Sequence, residues 1–122
     1  MAPKIASAHA DPTSSTYHPL APHPTCRLHA VEGVTIYGPP PTAALGRASL
    51  ASFNVEGVHA TDICMILDTC GVAVRSGHHC TQPLHRCLGV SASARASAYI
   101  YNTPQEVDAF VSALQEAVAM FR

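Results

Sequence analysis

The chain has no excess of either charge, no long apolar run, no C-x-x-C pair and no internal repeat. Seven basic and eight acidic residues leave a net charge of −1 with histidine neutral. That balance removes any electrostatic case for binding DNA, RNA or an acidic membrane surface. No apolar stretch approaches the roughly 20 residues of a membrane-spanning helix, so the sequence reads as soluble. The five cysteines, Cys26, Cys64, Cys70, Cys80 and Cys87, are not spaced like a zinc ribbon, and one is left over if the rest pair. Cys64 and Cys70 fall within a helical pattern, which favours buried thiols in a reducing compartment over a disulfide framework. Lysine is nearly absent as well: Lys4 is the only one.

A hydrophobic share of 48% with 12% charged residues suits a globular chain, and 122 residues allow one domain. Residues 1–30 are set apart by composition. Pro3, Pro12, Pro19, Pro22 and Pro24 punctuate a mixture of Ala, Ser, Thr and His without helical or strand period. Four of the eight histidines (His9, His18, His23 and His29) fall there and reflect composition more than a site. The tract is Ser- and Ala-rich with one acid, Asp11, but offers only Lys4 and Arg27 as bases, which supports a transit peptide weakly. A disordered or leader segment, or unrelated upstream sequence, is expected over 1–30, with the folded domain over 31–122. Removing residues 1–29 is accordingly expected to leave the thermal midpoint almost unchanged.

Beyond the leader the periods become legible. Val34 to Tyr37 is a β-rich run closed by Gly38 and three prolines. Ala48 to Val55 reads as a second strand ending at Gly57. From Ala60 the spacing of Ile63, Ile66, Leu67 and Cys70 turns helical, with Asp62 in the first turn and Gly71 placed as the C′ residue. Val72 to Arg75 follows as a strand, Pro83 to Leu88 as a helical turn, and Ala96 to Tyr101 as a fourth strand. Thr103-Pro104-Gln105-Glu106 then spells a capping box with proline at N1. Val107, Phe110, Val111, Leu114, Val118 and Phe121 mark one face of the helix it opens. The pattern β-β-α-β-turn-β-α is an α+β arrangement of sheet and helices.

The chemistry concentrates in Arg75-Ser76-Gly77-His78-His79-Cys80 and in Arg95. The apolar run Gly71-Val72-Ala73-Val74 leads into it, as a buried strand leads into a loop. Gly77 permits a tight backbone course, and Pro83 keeps a helix from running through Cys80. Thiolate is the nucleophilic form of cysteine, and nearby cations favour it. Arg75 and any protonated fraction of His78 and His79 are therefore expected to make Cys80 the most reactive of the five thiols. Cys87, beside Arg86, is its competitor. The plainer alternative is a cysteine that simply packs.

Over Val31 to the end, about three quarters of the chain, the sequence resembles the C-terminal small domain of a cysteine desulfurase. The similarity is to the group II, SufS-type branch of the class V aminotransferase family. It is carried by Phe53-Asn54-Val55-Glu56-Gly57, Ala60-Thr61-Asp62, Arg75-x-Gly-His-His-Cys80, Arg95-Ala96-Ser97, Tyr101-Asn102-Thr103 and Glu106-Val107-Asp108. The short spacing from Cys80 to Arg95 favours group II over group I, whose cysteine loop is longer. The resemblance implies the small domain of a fold-type I pyridoxal phosphate enzyme, with a short, mostly antiparallel sheet covered by helices. It implies that Cys80 takes sulfur from L-cysteine as a persulfide, releasing alanine, and that Arg95 binds the substrate carboxylate. Arg75, His78 and His79 would support the loop. A SufE-type sulfur acceptor, a homodimer or a separate cofactor-binding domain, and a role in iron–sulfur cluster assembly follow from the same resemblance. So does a plastid setting.

Two departures stand out. Thr81 replaces the alanine usual in group II and adds a hydroxyl beside Cys80. More consequentially, pyridoxal phosphate needs a lysine for its Schiff base and an acid for its ring nitrogen. Lys4 lies in the leader without the family's motif, and the large cofactor domain would precede Val31. No covalently held pyridoxal phosphate is expected on these residues, and they are expected to be incomplete and inactive alone. Two further readings stay open: a persulfide carrier needing no pyridoxal phosphate, and a metal site using His78 or His79 with Cys80 and Cys87.

Overall fold

The computed structural model describes residues 24–38, 48–99 and 101–122. Residues 1–23, 39–47 and Ile100 lie outside that description, so the expectations for them lie outside it too. In order, the elements are α1 (Pro24–Leu28), β1 (Val34–Tyr37), β2 (Leu50–Val55), α2 (Ala60–Thr69), β3 (Arg75–Gly77), α3 (Gln82–Leu88), β4 (Ser93–Ser97) and α4 (Pro104–Met120). Four strands form one sheet in the order β1-β2-β4-β3, and every pairing is antiparallel.

Period-two alternation explains how the sheet divides its residues. Along β2, Ala51, Phe53 and Val55 are buried while Leu50, Ser52 and Asn54 are half-buried. Ala51 pairs with Ala96 and Phe53 with Ala94, so small β4 side chains meet a large β2 ring on one face. α2 and α4 pack on that face through Ile63, Leu67, Phe110, Leu114, Ala117 and Val118. The Phe53 and Phe110 rings meet at 6.0 Å, tilted by 57°, an arrangement aromatic pairs favour. The core is therefore a single layer between sheet and helices.

α4 begins where its sequence says it should. Thr103 accepts from the Glu106 N–H, and the Glu106 carboxylate accepts from the Thr103 N–H, closing the capping box. Asn102 adds a bond to the same carboxylate at 2.9 Å, and together these hold Glu106 below the usual carboxylate range. α2 ends at Gly71, whose φ of +76° is the left-handed C′ conformation expected there.

Three boundaries differ most from the sequence reading. The third strand runs over Arg75–Gly77 instead of Val72 to Arg75, because Val72 turns inward to the core immediately after α2. β4 spans Ser93–Ser97 and not Ala96 to Tyr101; the pairing of β2 with β4 ends at Leu50 and Ser97. The packed region also starts before Val31. Leu28 on α1 is fully buried in the core and Thr25 is buried as well, so the packed region includes these two residues of α1. Proline-rich composition concealed this five-residue helix, which is too short to show a period.

Candidate active site on the polar sheet face and the Cys80 turn

The face of the sheet away from the helices carries a row of polar side chains. Strand register aligns Tyr37, Ser52, Arg95 and Arg75 across all four strands. Directly opposed residues of an antiparallel pair project to the same side, and like charges so placed repel. Arg75 and Arg95 form no ion pair among the described residues, and the buried Arg95 Nε has no hydrogen-bond partner. Two arginines paired across neighbouring strands without an ion-pair partner suit an anion. The planar fork suits bidentate capture of a carboxylate.

β3 runs into the Cys80 loop through Gly77, whose φ of +129° few other residues adopt. His78 to Thr81 then form a tight turn. The Thr81 N–H donates to the His78 carbonyl at 2.8 Å, and the Thr81 hydroxyl donates to the same carbonyl at 2.7 Å. The two central residues, His79 and Cys80, have φ of +50° and +60°. Positive φ at both centres is the type I′ pattern, which Gly, Asn and Asp usually fill. For L-residues with a Cβ it is disfavoured by about 1–2 kcal/mol each, so surrounding bonds must hold it. The Thr81 hydroxyl, absent where alanine stands, is one of them. It donates to the turn, and its oxygen makes no capping bond at the N-terminus of α3.

His79 supplies a second bond. Its Nε2 lies 3.0 Å from the Ser93 carbonyl, and a carbonyl only accepts, so Nε2 carries the proton. Burial pushes His79 below the ordinary imidazole value; the Ser93 bond opposes this, and the charges of Arg95, His85 and Arg75 add to it. His79 is thus a neutral ring near both arginines, and its share in the expected cationic support of the Cys80 thiolate is reduced for that reason. With a folded value below the unfolded one, neutral His79 favours the folded loop above the unfolded value. That contribution is lost as pH falls through the lowered folded value. An NMR titration of the ring is expected to give a midpoint below the free value of about 6.5; a midpoint above it would contradict this placement.

The structure brings together Arg75, Arg95, His79 and the turn that bears Cys80, which is itself exposed. His78 is exposed and makes an edge contact with the His85 ring at 5.5 Å. Cys64 is half-buried, and burial raises its thiol pKa while a bond from Ser76 lowers it less. Cys70 is exposed at the C-cap of α2, not on the buried face expected of it, because the helix ends one residue earlier. Cys87 is exposed on α3, where Leu84 and Leu88 are exposed as well. Among the described residues no three His, Cys, Asp or Glu side chains gather as a metal site, so His78, His79, Cys80 and Cys87 do not converge. No described helix is long and apolar enough to cross a membrane.

Sequence reasoning missed His85 and Ser93. His85 is only 4% exposed, with Nδ1 at 3.0 Å from the Thr81 carbonyl and Nε2 at 3.0 Å from the Ser93 hydroxyl. The signal was present: His85 lies four residues after Thr81, one helical turn on, and so faces back towards the loop.

Comparison with known proteins adds relatives to this geometry. The aminotransferase class-V family model matches residues 5–110. A probable cysteine desulfurase of Synechocystis sp. is 51% identical over 94 residues, 77% of this chain and 22% of its own length. One from Halobacterium salinarum is 54% identical over 95 residues, 78% of this chain and 22% of its own. Among solved structures, the apo cysteine desulfurase of Thermococcus onnurineus superposes with a TM-score of 0.74 at 39% identity, covering 84% of this chain and 25% of that one. The S-sulfonic acid form of the cysteine desulfurase CsdA of Escherichia coli gives 0.70 at 34% identity, covering 80% and 23%. The chain spans about a fifth of the length of the curated relatives it matches.

Proposed function

The chain belongs to the class V aminotransferase family, and on that premise we propose that it is the sulfur-accepting part of a group II, SufS-type cysteine desulfurase. The observation that supports this reading most is the pairing of two uncompensated guanidinium groups, Arg75 and Arg95, with a neighbouring strained turn that presents Cys80. Arg95 binds the carboxylate of L-cysteine through its planar fork, with Arg75 adding charge from the next strand. The Cys80 thiolate attacks the substrate sulfur; an S–S bond forms as the Cβ–S bond breaks. The electron pair of the broken bond stays with carbon, which is protonated to give alanine. Cys80 then passes its outer sulfur to an acceptor thiol, such as that of a SufE-type protein serving iron–sulfur cluster assembly.

The family's cofactor is pyridoxal phosphate, and the residues in hand do not fit it. The described residues include no lysine, and no carboxylate stands in the row of Tyr37, Ser52, Arg95 and Arg75 to meet a ring nitrogen. Activation of the Cβ–S bond must come from groups outside these residues, in the same or another chain. A persulfide carrier is the second reading, favoured by the exposure of Cys80. There the Cys80 thiolate attacks the outer sulfur of a donor persulfide, and the donor thiolate leaves.

Competing alkylation by iodoacetate and neutral iodoacetamide tests the reading. Arginines that capture a carboxylate near Cys80 should make the anionic reagent prefer Cys80 over Cys87. Arg95→Lys, which keeps the charge and loses the fork, is expected to cut that preference by about tenfold, the worth of one charge-assisted hydrogen bond. Equal labelling of Cys70, Cys80 and Cys87 by both reagents would sink it.

A further inference from the structure

We propose that His85 is a positioning residue that, with Ser93, fixes the place of Cys80 relative to Arg95; this rests on the reading of Cys80 as sulfur acceptor. The Thr81 carbonyl only accepts, so His85 Nδ1, 3.0 Å away, carries the ring proton. The Thr81 hydroxyl, 3.5 Å from the same nitrogen, is a weaker second acceptor. In the neutral ring Nε2 is then an acceptor, and the Ser93 hydroxyl, 3.0 Å away, donates to it.

Ser93 therefore holds both halves of the turn. Its carbonyl takes the His79 proton ahead of Cys80, and its hydroxyl reaches Thr81 beyond Cys80 through the His85 ring. Ser93 lies two residues before Arg95 on β4, on the same side of the strand. The nucleophile and the carboxylate anchor are thus referenced to one segment of one strand. His85 and Ser93 are both buried, so water does not compete for these bonds. A turn with positive φ at two non-glycine residues has no intrinsic preference for its shape, and this bracket supplies one.

Two measurements on the full chain decide the matter. Ring 15N NMR is expected to show His85 as the Nδ1–H tautomer and His79 as Nε2–H; the Nε2–H tautomer at His85 would overturn the proposal. Next, His85→Met keeps the volume and removes both bonds. Exchange of the Thr81 amide, bonded to the His78 carbonyl, is expected to speed by about tenfold. Amides at the centre of α4, such as that of Leu114, should be unchanged. Sulfur uptake by Cys80 from a small persulfide should fall with the loss of Thr81 protection, and His85→Asn, which keeps a donor towards Thr81, should restore part of both. An equal rise at Thr81 and Leu114 would show a merely structural ring and contradict the proposal. If His85→Met does not fold, Ser93→Ala, which removes one hydroxyl, is judged by the same readouts. Wild-type Cys80 that takes no sulfur would refute the functional reading, while the tautomer and the exchange data would still judge the bracket.

Discussion

Replacing Leu28 by alanine is expected to destabilise the protein by about 2–5 kcal/mol, the range for emptying a fully buried leucine site. Leu28 has no exposed surface and belongs to the core cluster, where α1 packs on α4, β1 and β2. Against a total stability of about 5–15 kcal/mol for a typical domain, the loss is large enough to leave part of the protein unfolded at ambient temperature. Deleting residues 1–29 removes the same side chain together with buried Thr25 and should lower the denaturation midpoint similarly. Urea titration followed by far-UV circular dichroism measures both. An unchanged midpoint in either variant would mean that α1 does not pack in solution, and would restore the domain boundary that composition places after residue 30.

That boundary shows where sequence reading stops. The elements found correctly carry repeated signals: the capping box of α4 followed by four turns of apolar spacing, the switch to helical period at Ala60, and Gly71 as its stop. α1 has five residues and, among its described side chains, one large core residue, Leu28, so it has no period to read. The displaced β3 and β4 have a different cause. Val72 to Arg75 and Ala96 to Tyr101 are apolar enough to read as strands, but which segment joins the ladder is set by register against the neighbouring strand, β2 for β4 and β4 for β3, a long-range choice.

The site divides in the same way. The motif pointed to Cys80, Arg75, Arg95 and His79 because their residue types are unusual where they stand. Pairing of Arg75 with Arg95 across two strands, and the bracket of His85 and Ser93, need tertiary register that one sequence does not state. Thr81 is instructive because it read as a mild departure. Its hydroxyl closes the turn that presents the thiol, so the substitution supports the site's geometry.

The second large effect concerns Cys80, on which the account depends. Cys80→Ser keeps the size of the side chain and removes the sulfur through which that position would hold a persulfide. Sulfur uptake at that peptide is expected to vanish, while stability should change little because Cys80 is exposed. Cys70 and Cys87 are exposed too and serve as internal controls in the same digest. Their uptake should stay low, since neither sits in the turn beside the arginine pair.

The most direct measurement treats the wild-type chain with a limiting small-molecule persulfide at neutral pH, traps the products by alkylation and maps them by peptide mass spectrometry. The account predicts one added sulfur atom on the Cys80 peptide ahead of the Cys70 and Cys87 peptides, and none at that position in Cys80→Ser. Sulfur distributed evenly over Cys70, Cys80 and Cys87, or retained in full by Cys80→Ser on its other thiols, would contradict it.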